Sequence, residues 1–231
     1  MADAVRQFVN DFWPAPAIFE MIRVFPDALF WGIGIIALVT LSFPFTVFFG
    51  SAIEGLGLYY FLKAANNYLG IIDTAPGIGV SQRACKDSSV GTTFQTVSVF
   101  GDPSKLPFPS SHTFMLSFIA SYILSVIVTF KDHLEIMGTT YGESYTTKIY
   151  ISLISFTTMM FIAMTYRLFN NCDSFTVILI SFIIGTACGT AVLHQNLGLF
   201  GLEGVNLLGI PILRKRTATG NELMVCSSSS S

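Results

Sequence analysis

One short stretch combines the side chains needed to hold an oxyanion: Pro109-Ser110-Ser111-His112 stands where a long apolar run begins. Proline presets the backbone for a helix start, and serine is a favoured residue just ahead of the first turn. The first amides of a helix lack intrahelical partners and carry the positive end of its dipole, so they attract anions. Two hydroxyls and an imidazole complete a cradle for phosphate, and histidine near neutral pH can protonate a leaving oxygen. Further along, Arg167 offers a planar, permanently charged donor. Asp173 follows it, either as its ion-pair partner or as a carboxylate nucleophile. Lys63 shares a largely apolar segment with Glu54, and such charges normally face a wet or protein-lined interior. The four cysteines show no metal-ligand spacing, and neither a metal nor another cofactor is expected.

The elements that must position these residues are membrane helices. The 231 residues are 52% hydrophobic and 11% charged, against about 25% charged in a soluble domain. No Asp, Glu, Lys or Arg occurs in 28–53, 106–130, 149–166 or 174–202. About 20 apolar residues cross a hydrocarbon core as a helix, and helices satisfy their own backbone there. The expected fold is therefore all-α, a polytopic membrane bundle of five or six spans. The spans are Ala28 to Phe49 (kinked by Pro44), Ser51 to Ile72, Ser110 to Phe130, Ile149 to Leu168 and Ser174 to His194. Residues 195–213, rich in glycine, read as an interfacial segment or a sixth span.

Residues 1–26 read as amphipathic interfacial pieces or as helices capping the bundle. Residues 27–213 form the bundle, with a polar loop over 73–107, and 214–231 form a flexible tail. Arg214-Lys215-Arg216 in that tail favours the cytosolic side. A bridge between Cys85 and Cys172 is open to this topology. The net charge of −2 excludes a basic footprint for nucleic acid. Five antiparallel spans bring the end of the second, the start of the third, the end of the fourth and the start of the fifth to one face. Those points carry Lys63, Ser110-Ser111-His112, Arg167 and Asp173, while His133 and His194 fall on the other face.

Phe108-Pro109-Ser110-Ser111-His112 resembles the second signature of the type 2 phosphatidic acid phosphatase superfamily, which shares a helical core with vanadium haloperoxidases. Its serine pair is similar to the form found in dolichyl diphosphatases. The resemblance covers roughly residues 55 to 190 and implies a lipid-phosphatase-like core. In the first signature, K-x6-R-P, Lys63 matches, but Gly70 and Ile71 stand where Arg and Pro belong. In the third, S-R-x5-H-x3-D, Arg167 matches and Tyr166 replaces the serine. Asp173 stands at the nucleophilic histidine, and Val177 at its orienting carboxylate. The resemblance implies that His112 is the acid and that Lys63, Ser110, Ser111 and Arg167 bind phosphate; the nucleophile does not carry over. Separately, 209–216 and Cys226 resemble C-termini of membrane proteins from large DNA viruses.

Three functions follow. The first is an integral membrane protein with a phosphate-binding site, catalytically impaired, in a binding or structural role. The second is a working lipid phosphate or isoprenyl diphosphate phosphatase that uses Asp173 as nucleophile. The third is a transporter or channel, prompted by Glu54 and Lys63 inside one span. The expected partners are a membrane lipid or lipid phosphate, and proteins of a membrane assembly. The expected location is a multi-pass site in an endoplasmic-reticulum-like or virion inner membrane, with the tail cytosolic.

Overall fold

A computed structural model describes residues 15–70, 108–135, 144–170 and 172–210. The loop at 73–107 with Cys85, the extreme N-terminus and the tail lie outside them. The described chain is helical, built from α1 (Ala15–Thr40), α2 (Phe43–Leu69), α3 (Ser111–Thr129), α4 (Ser144–Phe169) and α5 (Phe175–Val205). Residues 131–135 add a further helical turn. Four segments are long and apolar enough to cross a membrane: α2, α3, Thr147–Phe169 within α4, and α5. Among the described residues α1 has a shorter apolar stretch, the 17-residue Val24–Thr40. That is about 25 Å of helix, against a core of about 30 Å.

The first two helices differ from the expected spans. Instead of one rod kinked at Pro44, the chain reverses at Leu41 and Ser42, with Leu41 at φ 48°. Pro44 sits in the first turn of α2. A proline there loses nothing, because its missing N–H would have no helical partner. α1 and α2 form an antiparallel hairpin, closed by Phe30 against Phe49, with ring centroids 5.6 Å apart. α1 itself runs without a break across residue 26, where the interfacial segment was expected to end. α2 then continues for 27 residues and ends at Gly70, whose φ of 61° lets its N–H reach the Asn66 carbonyl at 2.8 Å.

The fifth span also runs further than expected. α5 continues past His194 to Val205, through a non-helical glycine at Gly201. Residues 195–200 of the ambiguous 195–213 segment therefore continue α5, and the helix kinks at Gly201. Asn206 closes it by accepting the Ile210 N–H at 3.0 Å and donating to the Ile210 carbonyl.

α3 is the central rod: Phe114, Leu116, Phe118 and Tyr122 on it are fully buried, as is Phe130 just past its end. It lies parallel to α5 along a seam of small residues. A Cβ on Gly185 would lie 2.6 Å from the Phe114 carbonyl oxygen and collide with Ser117 Oγ. One on Gly189 would collide with Ser121 Oγ and the Phe118 carbonyl. Ser181, Gly185 and Gly189 recur every four residues on α5; the two glycines face Ser117 and Ser121, at the same spacing on α3, and Ser181 meets the Ser110 amide. Close packing of small residues drives helix association where no hydrophobic gradient exists. Ser117 and Ser121 return their hydroxyls to the Phe114 and Phe118 carbonyls, both at 3.0 Å. α2 crosses α3 in the opposite sense. Asn196 of α5 ties Ser51 of α2 to Tyr122 of α3, donating at 2.6 and 3.0 Å. Next along, Gly55 meets the Phe118 ring and Tyr59 meets Phe114. The outer faces keep their hydrocarbon outward, as at Leu38, Phe61, Ile154 and Leu199.

Candidate oxyanion site

Antiparallel and parallel pairing carry the start of α3, the end of α4 and the start of α5 to one face of the bundle. There a chain of polar contacts joins residues distant in sequence. Ser110 precedes α3 in extended backbone, as an N-cap should, but its hydroxyl does not cap the helix. It donates instead to Asp173 Oδ2 at 2.7 Å. The Ser110 N–H donates to Ser181 Oγ at 2.8 Å, anchoring the α3 start to α5. Arg167 Nε donates to the same Asp173 oxygen at 2.5 Å. Arg167 Nη1 lies 3.0 Å from His112 Nδ1. Guanidinium has no acceptor, so Nδ1 must accept, which leaves His112 carrying its ring proton on Nε2. The Ser111 hydroxyl lies 3.4 Å from the same Nδ1.

These groups are withdrawn from solvent. The Arg167 side chain is 5% exposed and that of Asp173 is 0%. Ser110, Ser111 and His112 are buried with them. An ion pair in such surroundings persists only with good geometry and additional hydrogen bonds, which Ser110 and His112 provide. The accounting is incomplete at two atoms. Asp173 Oδ1 and, one residue beyond His112, Thr113 Oγ1 are buried without a hydrogen-bond partner among the described residues.

The turn carrying Asp173 is held at both ends. Cys172 N–H donates to the Arg167 carbonyl at 2.9 Å. Ser174 caps α5 by accepting the Val177 N–H at 3.3 Å. Cys172 is disulfide-bonded, with its partner outside the described residues, and Cys188 is free.

Five of the six expected site residues, Ser110, Ser111, His112, Arg167 and Asp173, are thus joined in one hydrogen-bonded cluster. Lys63 is half-buried on α2, and no contact joins it to the cluster among the described residues. Its register is nevertheless suitable. The pairings of Ser51 with Tyr122 through Asn196, Gly55 with Phe118 and Tyr59 with Phe114 advance four residues at a time. The next step puts Lys63 level with Ser110. His194 is exposed on α5, about 30 Å along that helix from its start. His133 packs against Phe130 beyond the other end of α3. Neither histidine can serve this site.

Sequence reasoning missed Ser181, which holds the Ser110 amide, and the Asn196 link to Ser51 and Tyr122. The signal for the first was present in the four-residue recurrence of Ser181, Gly185 and Gly189. The second has no sequence signature. Among the described residues no group of histidine, cysteine and carboxylate side chains could hold a metal ion. No family model matches this chain, and neither a curated protein nor a solved structure matches it.

Proposed function

We propose that this chain is a multi-pass membrane protein with a lipid-phosphatase-like oxyanion site that no longer turns over, and that it acts by binding or as a structural component of its membrane. The observation that carries this reading is that Arg167 and Ser110 converge on a single carboxylate oxygen at the start of α3. Donors arranged around one oxygen of an anion are what a phosphate site requires. Gly70 supports the loss of turnover, because the position where the resembling family has arginine is here a left-handed helix end. The absence of a nucleophilic histidine at 173 supports it further. Losing a covalent nucleophile typically costs several orders of magnitude in rate.

Orientation follows from two features. The disulfide at Cys172 favours an oxidising compartment for the site face. α5 leaves toward the opposite face ahead of Arg214-Lys215-Arg216, which favours the cytosol there. The membrane is of endoplasmic-reticulum or virion type.

A second reading keeps activity, with Asp173 as nucleophile. The unpartnered Oδ1 favours it, since an attacking oxygen must not be engaged elsewhere. Phosphate release by purified protein in detergent separates the two, with lipid monophosphates and isoprenyl diphosphates as substrates. The expected result is no release above that of His112→Ala. Release that disappears in both His112→Ala and Asp173→Asn would establish the enzyme.

A further inference from the structure

We propose that Asp173 is the resident anion of this pocket, and that a phosphate monoester takes the same position once the carboxylate is removed. The inference rests on the reading above that the site is built for an oxyanion, and it identifies what occupies the site now. Asp173 Oδ2 receives the Ser110 hydroxyl and the Arg167 Nε together, at the amino end of α3. Those are the donors that the oxygen of an incoming phosphate would need. Oδ1 and Thr113 Oγ1 are buried without hydrogen-bond partners among the described residues. Of these two atoms the Thr113 hydroxyl is a donor that Asp173 does not engage, and a tetrahedral anion presents more oxygens to receive it. Asp173 cannot easily swing away, because the disulfide at Cys172 and the cap at Ser174 hold it on either side. The wild-type pocket is thus filled by its own chain, and phosphate in solution finds its donors engaged.

Thermal unfolding of the purified full-length protein in detergent tests this, with sodium formate, inorganic phosphate, orthovanadate or a short-chain phosphatidic acid compared with chloride at matched ionic strength. Wild type is expected to respond to none of them. Asp173→Ala is expected to melt lower, and to recover by about 5–10 °C in saturable fashion at a hundredfold excess of phosphate over its Kd. Recovery with phosphatidic acid alone assigns a lipid headgroup, and recovery with inorganic phosphate as well assigns the phosphate group itself. Asp173→Ser is the milder variant should Asp173→Ala fail to fold in chloride, and folding regained in phosphate counts as recovery.

Recovery with formate but not phosphate overturns the proposal, because the pocket then fits only a carboxylate. So does equal behaviour of the variants in phosphate and chloride, or equal recovery when Arg167→Gln is added. Wild-type turnover in the phosphate-release assay would instead overturn the functional reading, whatever these shifts show.

Discussion

At the scale of single residues, Arg167 decides the site. Its Nε and Nη1 serve Asp173 and His112 together. Arg167→Ala leaves a buried carboxylate unpaired and is expected to cost about 3–5 kcal/mol, read as a lower thermal midpoint in detergent. Arg167→Lys should recover only part of this, since one ammonium lacks the planar fork that spans both partners. Replacing both members with leucine is the sharper experiment. A buried pair exchanged for apolar side chains is often neutral or stabilising, so Arg167→Leu/Asp173→Leu should be more stable than Arg167→Ala. A double variant as unstable as the two single losses combined would show that the pair does more than neutralise itself.

At the scale of elements, two glycines have opposite reasons for being glycine. Gly185 is required by space, with the Phe114 carbonyl 2.6 Å from where a Cβ would stand. Gly185→Leu is expected to force α3 and α5 apart and abolish the monodisperse peak in size-exclusion chromatography. Gly185→Ala should cost about 1–3 kcal/mol, as overpacking does. Gly70 is required by conformation, with φ of 61° and nothing near its missing Cβ. Gly70→Arg, which completes a K-x6-R pair with Lys63, should cost about 1–2 kcal/mol of backbone strain and create no phosphatase activity. Release of phosphate by that variant would show that only this cation had been lacking.

At the scale of the molecule, the bundle sorts its polar groups by face. Gly70, residues 108–112 and the α4–α5 turn lie at one end, while residues 41–42, 131–135 and 206–210 lie at the other. Tyr68→Cys and Lys131→Cys, both at exposed positions, should therefore react with an impermeant maleimide from opposite sides of sealed vesicles, in a background without other reactive thiols. Labelling of both from one side would contradict a membrane crossing by α3 between them.

Much of this arrangement was legible in the chain. The charge-free stretches located α3, α4 and α5, because lipid tolerates few charges and no unpaired backbone. Parity of crossings then placed Ser110, Ser111, His112, Arg167 and Asp173 on one face. Boundaries were less legible. No charge interrupts 28–53, so the charge pattern could not show a reversal that depends on Leu41 entering the left-handed region. Pro44 carries the same letters whether it kinks a helix or starts one. What only the tertiary structure decided is which partner each polar group takes. That choice depends on distances of a few ångströms between helices far apart in sequence, set by how closely Gly185 and Gly189 let α5 approach α3. The chain alone placed Ser110, His112 and Arg167 at matching helix ends; folding put the Asp173 carboxylate among them.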